Sequence, residues 1–187
     1  MSSVLTPLRD LSITRLRLPE DAAPAKYFVT DRELAALVLV GQAEFILSRA
    51  GQLLRWEYVG SRQSVFDGLP YCVYSGPHTQ MIIAPRNGPV DILLASAPAR
   101  GAMDGNVSSA LVRPEDVRVH VIGEGHTRRT VREIIGGAPA GVARRLRLGE
   151  TLAPPGGWSS WPAHDFELRP ELAPEALGLT EDFSDRG

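Results

Sequence analysis

The chain has 187 residues, 20 basic against 22 acidic side chains, a formal net charge of −2 and 43% hydrophobic residues. That is enough for one ordinary domain with a sizeable core, or one domain and an appendage, and it is too apolar for wholesale disorder. The near-neutral balance argues against a dedicated nucleic-acid binder, and no run reaches the ~18 consecutive apolar residues of a membrane span. Cys72 is the single cysteine, which excludes an internal disulfide framework and an all-cysteine zinc site. Residues 1–8 have no basic start followed by an apolar stretch and no cleavage motif, so a soluble cytoplasmic protein is the expectation. All basic residues except Lys26 are arginine, a bias shared with the many Ala, Gly and Pro and read as a genome-composition effect.

Taken in chain order, glycines at 41, 51, 60, 68, 76 and 88 punctuate the middle of the sequence at gaps of 8 to 12 residues. Short strands with turn signals at that spacing mark an antiparallel sandwich or barrel. Leu34-Ala-Ala-Leu-Val-Leu-Val40 reads as a strand buried on both faces. Ala43–Ser48 and Leu53–Val59 mix aromatic and β-branched residues with charge and read as further strands. Gln80–Ala84 and Val90–Ala95 flank Pro85-Arg-Asn-Gly-Pro89, where Asn87-Gly88 supplies the positive φ of a tight hairpin. Residues 99–109 read as a loop. Val117–Ile122 alternates strictly, with Val117, Val119 and Val121 on one face and Arg118 and His120 on the other. Thr130–Ile135 and Ala143–Leu148 read as two more strands around the Gly136-Gly137-Ala-Pro139 turn. A short helix is expected only around Pro170–Gly178, with Pro174 in its first turn, and a polar frayed end after it. No fixed-period repeat is visible. The expectation is one all-β domain over residues 1–150 and a tail of different character over 151–187.

Chemical signatures are sparse. No phosphate-cradling glycine loop, dinucleotide turn or Cys-x-x-Cys is present. Cys72 lies in the apolar Pro70-Tyr-Cys-Val-Tyr74 and reads as an inert buried thiol. None of the four histidines, His78, His120, His126 and His164, forms the His-x-His pair that would put two imidazoles on one strand face. The tail is unusual. Trp158-Ser-Ser-Trp161-Pro-Ala-His164 packs two tryptophans, two serines and a histidine into seven residues. It is either an aromatic packing strap or a fragment of a ligand or metal site.

Several stretches resemble the 5-deoxy-glucuronate isomerase family of myo-inositol catabolism, relatives of the 5-keto-4-deoxyuronate isomerases. They are Arg62–Pro70 with Val73-Tyr74, Leu93–Pro98, Val112–Arg118, Gly123–Ile135 with its Thr127-Arg128, and Gly157-Trp-Ser-Ser-Trp-Pro162, in the family's order. The resemblance implies a cupin-type antiparallel β-sandwich or barrel, jelly-roll-like, followed by a short C-terminal tail. It also implies tandem barrels, of which the second holds zinc or manganese on three histidines and a glutamate. The metal would polarise a sugar-acid carbonyl while a base moves the proton.

This chain departs from that pattern where the chemistry lies. His164 matches the first ligand histidine, Phe166 stands at the second, and Glu167 and Glu171 are nearby carboxylates. One histidine and one carboxylate are too few for a tight zinc site. The expectation is therefore the first cupin with a remnant of the second, without isomerase activity and without a metal, zinc or manganese entering only if the family site is rebuilt. The alternative is a working aldose–ketose isomerase whose site another subunit completes. The candidate ligand-binding residues are Arg62, Arg128, Trp158, Trp161 and His164; the arginines are chosen because guanidinium forks suit carboxylates. A small sugar acid is the expected ligand, and a homodimer is expected to cover surface left by a missing second barrel. Neither nucleic acid nor membrane is an expected partner.

Overall fold

A computed structural model describes residues 2–7, 10–99, 109–136, 143 and 145–159. Among the described residues eleven strands follow in chain order: β1 (Ser2–Pro7), β2 (Ser12–Leu18), β3 (Ala25–Val29), β4 (Arg32–Arg49), β5 (Gln52–Val59), β6 (Cys72–Ser75), β7 (Thr79–Pro98), β8 (Ala110–Val112), β9 (Arg118–Ile122), β10 (Arg129–Ile135) and β11 (Leu148–Leu152). Among the described residues no helix is long and apolar enough to cross a membrane.

β4 and β7 organise the fold. They run antiparallel over nearly their whole lengths, from Arg32↔Pro98 to Ser48↔Gln80. Their first pairing segment, β4 residues 32–40 against β7 residues 91–98, sits in a sheet ordered β1-β2-β7-β4-β6-β8. Their second segment, β4 residues 42–48 against β7 residues 80–86, is flanked by β3 and β5. The two strands therefore pass from one sheet into the other, and the sheets close over a shared interior.

The corner between the sheets corrects the hairpin expected at Asn87-Gly88. Their positive φ angles are present, 55° and 123°, but β7 is continuous through them. Between Val40↔Asp91 and Gln42↔Arg86, β4 contributes only Gly41 while β7 contributes residues 87–90. The result is a bulged bend, which re-aims a strand without reversing it. Gly41 is required at this bend: its φ is +83°, and a Cβ there would lie 2.3 Å from the Pro89 carbonyl oxygen. For the same reason Leu34–Val40 and Ala43–Ser48, expected as separate strands, are two halves of β4.

Alternation assigns the faces. Leu34, Ala36 and Val38 point into the sandwich with Phe45, Leu47, Met81, Ile83, Ile92 and Leu94. Full burial of a side chain such as Phe45 contributes about 1.5–3 kcal/mol. Ala35 and Leu37 point the other way, with Cys72, Tyr74, Leu93 and Ala95, into a second apolar cluster that includes Ile134, Leu146 and Leu148. A three-stranded sheet ordered β11-β10-β9 supplies that cover. The reading of 34–40 as buried on both faces is thus met by two different layers.

Two further expectations change. Of the strand expected over Ala143–Leu148, the described residues 143 and 145–147 lie in no strand, and β11 starts at Leu148. The backbone N–H groups of Arg145 and Leu146 instead donate to the buried Glu33 carboxylate at 3.2 and 3.1 Å, so this segment takes its partners from a side chain. β9 forms where the alternation predicts, yet both of its faces are exposed. The expected helix at 170–178, and most of the 99–109 loop, lie outside the described residues.

Candidate functional site

The most developed polar constellation joins the segment after β5 to the small sheet. Arg62 is almost fully buried, and its guanidinium takes Glu150 of β11 in a two-pronged ion pair, Nη1 to Oε2 at 3.0 Å. Its Nε donates to the Leu39 carbonyl at 2.9 Å. Arg132 of β10 donates from Nη1 to Glu150 Oε2 and to the Val65 carbonyl, each at 3.1 Å. Among the described residues, Arg132 Nε is buried without a hydrogen-bond partner. Two guanidinium groups thus converge on one carboxylate in a poorly solvated setting, where each charge needs its partner. Beside this clamp lies a shallow, open cleft of about 400 Å³ lined by Ser61, Arg62, Gln63, Asp67, Leu69 and Pro114.

Arg62 was a candidate for binding a sugar-acid carboxylate. The fork such a ligand would need is already filled by Glu150, and the side chain is 3% exposed. Its place is in a clamp that fastens the small sheet to the sandwich. Arg128 is exposed at the end of a one-turn 3-10 segment, Gly125–Thr127, where its N–H donates to the Gly125 carbonyl at 3.2 Å. Trp158 comes to the same corner: its backbone N–H donates to the His126 carbonyl at 2.7 Å, and its side chain is about half exposed. The fold therefore brings Trp158 beside the turn that carries Arg128 and leaves Arg62 in a separate place. Trp161 and His164 lie outside the described residues, as do Phe166, Glu167 and Glu171.

The described histidines sit on separate surface elements. His78 occupies an exposed turn at φ 58°. His120 lies on β9, 3.6 Å from the Glu133 carboxylate, and His126 lies in the 3-10 turn. Among the described residues no group of three or more His, Cys, Asp or Glu side chains converges as a metal cage would require. Those residues do not fit the metal that the family resemblance implies, and no reaction step follows from them. Cys72 is fully buried, and burial pushes its thiol far above the usual range, which leaves it protonated and unreactive.

Sequence reasoning missed Glu150, Arg132, Glu33 and Glu44. Glu44 is nearly buried on β4 and takes both Arg55 and Arg86. Glu33 carried a legible signal, an acid opening a fully apolar run. Glu150 carried none, because its partner Arg62 is 88 residues away.

Comparison with known proteins places this architecture. The KduI/IolB family profile matches residues 6–175. The 5-deoxy-glucuronate isomerase of Geobacillus kaustophilus (strain HTA426) is 30% identical over 138 residues, 73% of this chain and 46% of that protein. The enzyme of the same name from Geobacillus thermodenitrificans (strain NG80-2) is 28% identical over the same shares of both chains. The chain spans about half the length of the curated relatives it matches. Among solved structures, an IolB-like protein from Salmonella typhimurium LT2 superposes with a TM-score of 0.58 at 21% identity, covering 67% of this chain and 44% of that one. The fold is the cupin-type antiparallel β-sandwich expected from the sequence.

Proposed function

Because the chain belongs to the KduI/IolB family, we infer that it is a homologue of 5-deoxy-glucuronate isomerase whose sandwich serves as a structural and docking half, without isomerase chemistry of its own. The single observation that carries this reading is the chemistry of the interior. Aldose–ketose interconversion needs an acid or metal at the carbonyl and a base at the adjacent carbon. Among the described residues, the cluster that fills the space between the sheets is built of apolar side chains, Val38, Phe45, Leu47, Met81, Ile83 and Ile92, with Tyr27, Trp56 and Tyr71 packed against it. Charged groups such as Arg62, Glu150, Arg132 and Glu44 are engaged in ion pairs outside that core.

The reading is tested by incubating the full chain with 5-deoxy-glucuronate and added zinc or manganese, and following the carbonyl by NMR. No interconversion beyond the protein-free control is expected. Turnover, with metal retained through gel filtration, would favour the alternative of an isomerase site completed between subunits. Sugar-acid binding without turnover would keep the homologue as a binder; Arg128, beside Trp158, is the arginine to replace first, since its side chain is exposed.

A further inference from the structure

The small sheet ends on β9, which pairs with β10 on one side and, among the described residues, with no strand on the other. An open edge of this kind is a template for one more strand. β9 is exposed on both faces. Its inner face continues from Val117, buried in the second apolar cluster, to Val119 and Val121, which are 48% and 58% exposed. The exposed Phe66 belongs to the neighbouring loop: it follows Val65, whose carbonyl is held by Arg132, the residue opposite Val119. The outer face of β9 carries Arg118 and His120.

We propose that this edge is the docking site of the chain's own tail, residues 163–169, paired antiparallel to β9. Three observations select that occupant. The first is where the described chain leads. β11 ends at Leu152, opposite Thr130, and the backbone then passes the β9–β10 turn, where the Trp158 N–H donates to the His126 carbonyl. It thus reaches Ser159 at the end of the sheet from which an antiparallel neighbour of β9 would start. Residues 153–162 have ample length for the three strand spacings, about 14 Å, between β11 and the open edge. A strand there completes a Greek key, in which the fourth strand returns to lie beside the first. The second is the sequence of the tail. Ala163-His-Asp-Phe-Glu-Leu-Arg169 alternates apolar Phe166 and Leu168 with charged Asp165, Glu167 and Arg169, and Pro162 and Pro170 bound it. The third is charge. Setting Phe166 opposite Val119 brings Asp165 opposite His120, Glu167 opposite Arg118 and Leu168 opposite Val117, with Arg169 level with Asp116 and His164 opposite Val121. Sliding the tail by two residues either way sets Arg169 against Arg118 or Glu167 against Asp116, so the pairing has one preferred register. The inference is independent of whether the chain isomerises a sugar acid.

The experiment is amide hydrogen exchange on the full chain, followed by NMR. Residues 163–169 and the β9 amides directed away from β10 should both exchange at least about tenfold more slowly than unstructured chain. Phe166→Pro should release the two sets together and leave the β4–β7 amides protected. A cysteine pair tests the register without relying on that variant. Directly opposed residues of antiparallel strands have Cα atoms about 4.5–5.5 Å apart, within disulfide reach, and the native Cys72 is buried and unreactive. Under mild oxidation, His120→Cys with Asp165→Cys should close a bond within one chain. Val119→Cys with Asp165→Cys, whose side chains point to opposite faces, should close at least about tenfold more slowly. Tail amides that exchange at unstructured rates, a protected tail beside an unprotected β9 edge, equal cross-linking of the two pairs, or a bond that forms only between copies each overturns the proposal.

Discussion

The two outer faces of the sandwich share β4 and β7 yet meet opposite fates. Where β4 runs through 34–38, Ala35 and Leu37 face outward and are buried under the three-stranded sheet with Leu93 and Ala95 of β7. Where it runs through 42–48, the outward positions are Gln42, Glu44, Ile46 and Ser48, and none of them joins either buried apolar cluster. The difference is written at two-residue period: a strand half that is apolar on both faces obtains a cover from its own chain, and a half that alternates does not. The covered side is fastened by polar groups at its margins, Arg62–Glu150–Arg132 at one place and Glu33 at another.

The comparison breaks most decisively at the clamp. Glu150→Ala leaves two poorly solvated guanidinium groups without their carboxylate, an expected loss of about 3–5 kcal/mol in urea unfolding. A change below about 1 kcal/mol would mean that the small sheet is held by apolar contact alone. Next in size is Leu37→Ala, under the cover, with an expected cost of about 2–5 kcal/mol. Ile46→Ala, on the bare half of the same strand, should cost less than about 1 kcal/mol; equal costs at the two positions would erase the distinction between the faces.

The smallest effect is a pH dependence. Asp91 lies on the face that the small sheet covers elsewhere. Burial raises its carboxyl pKa, but hydrogen bonds and charge from Arg15, then Arg17, outweigh that and hold it below the ordinary value. A depressed folded pKa adds stability above the unfolded value of ~3.9, lost as the pH falls through the folded one. Asp91→Asn should therefore lower the urea midpoint slightly at neutral pH, within about 1 kcal/mol, and flatten its fall below about pH 4. An unchanged acid limb would remove Asp91 as its source.

The strand content was legible because hydrophobic period is local. Leu53–Val59, Val117–Ile122 and Thr130–Ile135 were read within about one residue of β5, β9 and β10. What misled was turn chemistry. Gly41 and Asn87-Gly88 supply positive φ, which a hairpin and a bulged corner both need, and only the pairing of β4 with β7 decides between them. The strand expected at 143–148 failed because Glu33, more than a hundred residues earlier, takes its backbone donors. Arg62 was visible as an arginine in a family-like stretch, but its use was not, since a fork shaped for a ligand carboxylate is equally shaped for Glu150.

The proposed absence of isomerase chemistry is tested most directly by proton exchange at the reacting carbon. The full chain would be incubated with 5-deoxy-glucuronate and zinc or manganese in deuterium oxide, and the carbon next to the aldehyde examined for deuterium. Among the described residues, the apolar cluster between the sheets holds no carboxylate or imidazole to remove that proton, so incorporation should match the protein-free control. Faster incorporation that a chelator abolishes would contradict the account.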